Sequence, residues 1–183
     1  MTETLAGLAV AALLVWGAVL YNRLVRWRNM VLEAWSGIDV QLKRRHSLIP
    51  NLVEAVKAYA GYEQSVLERV TGLRTPGSEA SVAERAVEES SLSQHIRQLV
   101  AVVEAYPELK ASDSYLKLMQ GLTEVEQHIQ YARRYYNGAV RELNVRVQSF
   151  PSNLVAALFG FRPAEYFEVE LAVERESPEV KFS

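Results

Sequence analysis

Apolar residues along this chain follow two regimes. From Leu5 to Tyr21 they run almost unbroken, LAGLAVAALLVWGAVLY, and no charged side chain lies between Glu3 and Arg23. Those seventeen residues make about 26 Å of helix, slightly short of a ~30 Å hydrocarbon core but within the reach of flanking side chains. Beyond Arg23 the apolar positions recur at helical spacing instead. Pro50, Pro76, Pro107, Pro151 and Pro163 fall where that spacing breaks. Proline lacks the amide proton and clashes inside a helix, so these positions predict boundaries.

The resulting pieces predict four helices, over about 24–46, 51–74, 81–106 and 112–149. Met30, Ala34, Ile38 and Leu42 form the apolar face of the first, and Leu52, Val56, Val66 and Val70 that of the second. The third opens on Ser81-Val82-Ala83-Glu84, the Ser-x-x-Glu arrangement in which two orphan amides are satisfied reciprocally. Its face is Val82, Ala86, Leu92, Ile96, Leu99 and Val103. Ser112-Asp113-Ser114 supplies cap and first-turn acid for the fourth, whose stripe runs Leu118, Leu122, Val125, Ile129, Ala132, Tyr136, Ala139, Leu143, Val147, Phe150. Four amphipathic helices with short connections predict an all-α chain: an N-terminal transmembrane helix followed by an antiparallel up-and-down four-helix bundle. Pro50 leaves two options open, a turn or a kink in one very long helix. Residues 152–160 predict a short helix closed by Gly160, and Tyr166–Val173 alternates weakly and reads as extended. The organisation is an anchor over 1–23, a helical domain over 24–150 and an acidic tail region over 151–183.

For the first segment, a cleaved secretory signal and a buried soluble helix are the rival readings. A signal needs a basic start and a small-residue cleavage site, whereas this chain starts MTET and its apolar run ends in Tyr-Asn-Arg-Leu. A retained anchor is therefore preferred. Trp16, Tyr21 and Trp27 are the rings expected at the water–lipid interface, joined by Arg23, Arg26 and Arg28. With those cations on the C-terminal side, the positive-inside bias predicts the N-terminus outside and the remainder in the cytoplasm.

Composition narrows the chemistry. Of 183 residues 23% are charged, 20 Lys and Arg against 22 Asp and Glu, so no global basic field exists for nucleic acid. The absence of cysteine removes disulfides, thiolate metal sites and thiol nucleophiles. A di-iron bundle needs paired Glu-x-x-His motifs, and Glu124 with His128 has no counterpart on another helix. His46, His95 and His128 lie on three different predicted helices. No phosphate-binding loop, Gly-x-Ser-x-Gly or His-Glu-x-x-His occurs, so neither an enzyme nor a cofactor is expected.

Two polar clusters stand out. Lys43, Arg44 and Arg45 form a candidate interaction patch for an acidic partner; the competing reading pairs Arg44 or Arg45 with acids of neighbouring helices. Arg133, Arg134, Tyr135, Tyr136, Asn137 and Asn144 interleave bases with rings in a way that can stack nucleic acid. Because Tyr136 belongs to the apolar stripe, buried polar groups bonded to acids such as Glu54 or Glu104 are the preferred reading, and no nucleic acid is expected.

Taken together, WSGIDVQLKRRHSLIPNLVEAVKAYAGYE, AYPELKAS, EVEQHIQYARRYYNGAVRELN and FPSNLVAALFGF resemble the LemA family of bacterial membrane proteins, from about Ala6 to Phe182. The positions that carry the likeness include Asp39, Arg44, Pro50, Asn51 and Glu54, then Tyr106, Pro107 and Lys110, then Arg133, Tyr136, Asn137 and Asn144. The resemblance implies a single-pass protein of the bacterial cytoplasmic membrane with a helical soluble part and no known catalytic residue. It also implies work in assembling or remodelling membranes, as in magnetosomes. The functional expectation is a membrane-anchored scaffold or interaction protein, self-associating and held by the lipid bilayer. The alternative is a signalling or quality-control adaptor that recruits a specific membrane or cytoplasmic protein partner to the membrane.

Overall fold

A computed structural model describes residues 1–59 and 81–168. Its elements are α1 (Thr2–Tyr59), α2 (Val82–Val103), α3 (Pro107–Lys110), α4 (Asp113–Gln148) and α5 (Ser152–Leu158), with non-helical backbone over 161–168. Helix is the regular secondary structure of the described residues, among which there is no strand. Val66, Val70, the 76–80 connection and the alternating residues 169–173 lie outside the described residues.

Local chemistry accounts for the helix ends. At the start of α2 the Ser81 hydroxyl accepts from the Glu84 amide at 3.2 Å, and the Ser81 amide donates to Glu84 Oε2 at 2.8 Å. These bonds favour the charged carboxylate and hold Glu84 below the usual carboxylate range. Pro107 opens α3 at its first position, where no amide is needed. Ser112 Oγ accepts from the Tyr115 amide at 3.3 Å as α4 begins. Past α5 the Phe161 amide bonds the Ala156 carbonyl at 2.9 Å, and the Gly160 amide bonds Ala157 at 3.4 Å. That closure needs a left-handed residue, and Gly160 supplies φ +70°.

The chain packs as two compact units. One comprises Met1–Asp39 and Tyr131–Tyr166; the other comprises Val40–Gln130 and continues from Phe167. Packing therefore divides the chain within α1 and within α4. In the first unit the buried residues include Leu24, Val31, Ala34 and Ile38 of α1, Ala139, Val140 and Leu143 of α4, and Ala156 of α5. The second unit has a core of Ile49, Leu52, Val53 and Val56 from α1, Leu92, Leu99 and Val103 from α2, Leu109 from α3, and Tyr115 and Leu122 from α4. Burial of each such aliphatic side chain contributes about 1.5–3 kcal/mol.

Two expectations change. Pro50 does not end a helix, because α1 passes through it without interruption, so the anchor segment and the first two predicted helices are one element as far as Tyr59. The proline is exposed between buried Ile49 and Leu52. Its missing amide and its ring thus fall on a face open to water, where the unpaired carbonyl one turn back can be solvated. Phe150, counted as the last core position of the fourth stripe, is 79% exposed because α4 stops at Gln148.

A proline tolerated inside a helix still removes one intrahelical bond, and its replacement should be felt. Pro50→Ala is expected to raise the unfolding free energy by about 2 kcal/mol, the helix-interior cost less the lost rigidity of the unfolded chain. Thermal melting in detergent followed by circular dichroism tests this; a lowered midpoint would show that the chain needs a bend at this position.

Candidate functional site

The start of α1 is the most unusual surface. Its apolar window has a mean hydropathy of 2.0 with none of it buried, which sets it apart from the core helix of a soluble protein. Leu5, Leu8, Leu13, Leu14 and Val15 are each more than 60% exposed. Trp16 is about half exposed, and Arg23, Arg26 and Arg28 all face solvent. At the end of the apolar run the Tyr21 ring meets Phe159 at 4.8 Å and Phe161 at 5.7 Å between centroids. The Arg28 guanidinium lies 5.5 Å from the Phe161 ring, and that of Arg146 lies 4.2 Å from the Trp27 ring. Arg146 is held in place by Glu142, with 2.6 Å to Oε2 and 2.8 Å to the carbonyl, and its hydrogen bond lowers the Glu142 carboxyl from its usual range. Three of the six residues expected at the interface, Tyr21, Trp27 and Arg28, thus enter an aromatic and cationic collar. The residues completing it, Arg146, Phe159 and Phe161, lie more than a hundred positions away in sequence.

A second feature of the same unit is a clamp on the chain that follows α5. Asn144 Nδ2 donates to the Ala164 carbonyl at 2.9 Å, and the Ala164 amide donates to Asn144 Oδ1 at 2.8 Å. One turn along each of two steps toward the N-terminus of α4, the Tyr136 hydroxyl donates to the Glu165 carbonyl at 2.9 Å, and its ring packs 5.4 Å from Trp35. For Asn144 and Tyr136 the buried polar reading therefore holds with different partners, whereas Arg134 and Tyr135 of the same cluster are exposed. Main-chain groups of residues 164 and 165 take the place of the carboxylates of Glu54 and Glu104; Glu54 instead pairs with Lys57 at 3.2 Å. Burial, with the Glu165 charge second, pushes the Tyr136 phenol up to about 12. Nearby, Arg134 lies over the Tyr131 ring at 4.8 Å, using on itself the pairing considered for nucleic-acid stacking.

In the other unit the basic patch divides. Arg45 is buried, with Nη1 3.5 Å from Glu89 and Nη2 3.4 Å from Glu126, and it donates to Ser93 Oγ at 2.7 Å. His46 Nε2 meets the other Glu89 oxygen at 2.9 Å. Arg44 and Lys43 stay on the surface, and Arg44 reaches Glu124 at 3.8 Å through side chains about half exposed, a pairing of little energetic weight. Arg45 thus leaves the candidate interaction patch, because its charge is neutralised inside the unit. Glu124, considered as a partner of His128, faces Arg44 instead. Beside Arg45 a cleft of about 440 Å³ is lined by Ser93, Ile96, Leu122, Glu126 and Gln130. Sequence reasoning missed Glu89, yet a signal existed: it occupies the gap between Ala86 and Leu92 on the apolar stripe of α2. A carboxylate in that register must find an interior cation.

The LemA family model matches residues 34–182. Among curated proteins, magnetosome protein MamQ 2 of Paramagnetospirillum magneticum is 28% identical over 188 residues, covering 88% of this chain and 69% of that protein. Magnetosome protein MamQ of Magnetospirillum gryphiswaldense is 24% identical, covering 80% of this chain and 64% of its own length. Protein LemA of Metamycoplasma hominis is 31% identical over 137 residues, covering 74% of this chain and 63% of that protein. The chain thus spans about two thirds of each.

The clamp has a pH signature. The folded state keeps the Tyr136 proton to about pH 12, whereas an unfolded tyrosine releases it near pH 10. Between these values the folded state binds more protons, so stability falls as pH rises through the window and is unaffected below it. A loss of roughly 1–2 kcal/mol between pH 9 and pH 12 is expected in urea unfolding. Tyr136→Phe should lose about 1 kcal/mol at neutral pH and show a shallower alkaline decline; an unchanged decline would place the phenol in water.

Proposed function

The chain belongs to the LemA family, and from that premise we propose that it is a membrane-anchored, non-enzymatic helical scaffold that assembles with copies of itself at the bacterial cytoplasmic membrane. The observation that carries this reading is the unburied apolar start of α1, joined without a break to the amphipathic helix that builds both compact units. A single helix of this kind crosses the bilayer once and ties the folded part to its surface. Confinement to a plane raises the effective concentration of neighbouring copies, so weak lateral contacts suffice for assembly. Relatives named as magnetosome proteins support a role at a membrane. Neither a cofactor nor nucleic acid enters this function.

A second reading is an adaptor that captures one membrane or cytoplasmic protein partner. The cleft beside Arg45, with Arg44 and Lys43 on the surface of the same unit, favours it. Native mass separates the two. Full-length protein in mild detergent, with the micelle subtracted, is expected to form a large discrete assembly that is lost when residues 1–28 are removed. A monomer or dimer in both forms overturns the scaffold reading and favours the adaptor.

The proposed orientation has the N-terminus outside and the rest of the chain in the cytoplasm, supported by the positive-inside bias of Arg23, Arg26 and Arg28. The chain has no cysteine, so Thr2→Cys introduces a unique thiol. In intact spheroplasts a membrane-impermeant maleimide should label it, while Arg134→Cys stays unlabelled until lysis; the reverse pattern overturns this topology.

A further inference from the structure

From Ser149 to Phe161 the sequence SFPSNLVAALFGF carries no charge. In the structure its apolar side chains are turned the wrong way for a water-soluble surface. Helix α5 buries Ala156, while Leu154 is 62% exposed, Leu158 77%, Phe159 57% and Phe150, just ahead of it, 79%. Positions 154 and 158 lie one helical turn apart on α5, so they share one face. A small helix that hides its alanine and presents its leucines and phenylalanines has an apolar face in need of an occupant.

What lies beside this face identifies the occupant. Phe159 and Phe161 pack on Tyr21, the last residue of the apolar run in α1. The exposed apolar surface of α1, including Val19 at 45%, thus continues onto α5 through ring contacts inside one compact unit. The edge of this surface is cationic. Arg28 lies over Phe161, Arg162 follows it directly in sequence, and Arg23 and Arg26 are exposed. Rings backed by guanidinium groups at the rim of an apolar surface match the chemistry of the lipid headgroup boundary, where amphipathic rings settle and cations meet anionic phosphates.

We propose that α5 with its flanking phenylalanines is a second membrane contact, an apolar wedge lying in the headgroup–acyl boundary of an anionic bilayer beside the anchor. This rests on the reading that α1 enters the same bilayer. The anchor fixes the chain's position, and the wedge adds a lateral footprint of the kind made by interfacial amphipathic helices. The glycine turn at Gly160 brings the chain back so that Phe159 and Phe161 both reach Tyr21. The contact is therefore built into the fold.

The absence of native cysteine allows a direct test on the full-length chain. Leu158→Cys, Val10→Cys and Arg134→Cys each carry one nitroxide label, and each protein is reconstituted in vesicles of phosphatidylcholine and phosphatidylglycerol. Leu158 is exposed, so its replacement leaves the core intact. Collision with oxygen relative to a water-soluble nickel chelate reads depth. The label at 158 is expected to show an oxygen-to-nickel ratio several-fold above that at 134 and below that at 10. A ratio at 158 equal to that at 134, with 10 deep in the bilayer, overturns the wedge and leaves the anchor standing. Water-like values at 10 and 158 together overturn both, and a water-like value at 10 alone overturns the anchor. Spin–spin broadening at 158 that vanishes on dilution with unlabelled protein would show that a second copy covers the face, and would overturn the lipid assignment.

Discussion

Seventeen consecutive residues without a charged side chain, in an apolar window that the described residues leave unburied, set the constraint on which the rest depends. Leaving each of those large side chains in water costs on the order of 1.5–3 kcal/mol, more in sum than a domain of this size has to spare. The stretch therefore requires an apolar medium. In such a medium a backbone must satisfy its own hydrogen bonds, which a helix does. The same helix then continues with an apolar stripe of ordinary width through Ala34, Ile38 and Leu42, suited to protein neighbours rather than lipid. The point of change is marked by the collar of Tyr21, Trp27 and Arg28.

Away from that boundary, buried polar groups give the packing its specificity. Arg45, Glu89 and His46 form an interior cluster that an aliphatic trio could replace with little loss of stability, since desolvation offsets most of the attraction between such charges. Removing one partner differs, because it strands the others. Glu89 also lies against Ser93, which donates back to its carbonyl at 2.8 Å. Charges in the apolar register of α1 and α2 oppose a slip of one helix along the other, because another register would separate Arg45 and His46 from Glu89.

Much of this was legible in the sequence where the cause is local. The capping pair Ser81 and Glu84, the glycine closure at Gly160 and the apolar stripe of α4 depend on residues a few positions apart, and each occurs as the spacing predicts. Pro50 left a turn and one very long helix both open, because a proline's effect depends on which face of the helix it occupies, and that is decided by distant packing. Phe150 carries the right period for the stripe but lies past a helix end that its own spacing does not reveal. Asn144 announced itself as a polar residue on a buried face, yet its partner could not be read, because residues 164 and 165 offer only main-chain atoms and no periodic pattern. Arg45 and Arg44 are neighbours in sequence with opposite fates, separated by the 100° that a helix turns per residue.

The clamp formed by Asn144 and Tyr136 touches residues 164 and 165 only through carbonyl oxygens and one amide. A grip on the main chain ignores what side chain is carried there. The returning segment is thus free to drift among relatives at these two positions, with one exception: proline at 164 would delete the amide that Asn144 accepts. The constraint of inheritance rests on the asparagine and the tyrosine, while the segment they hold is left open to variation.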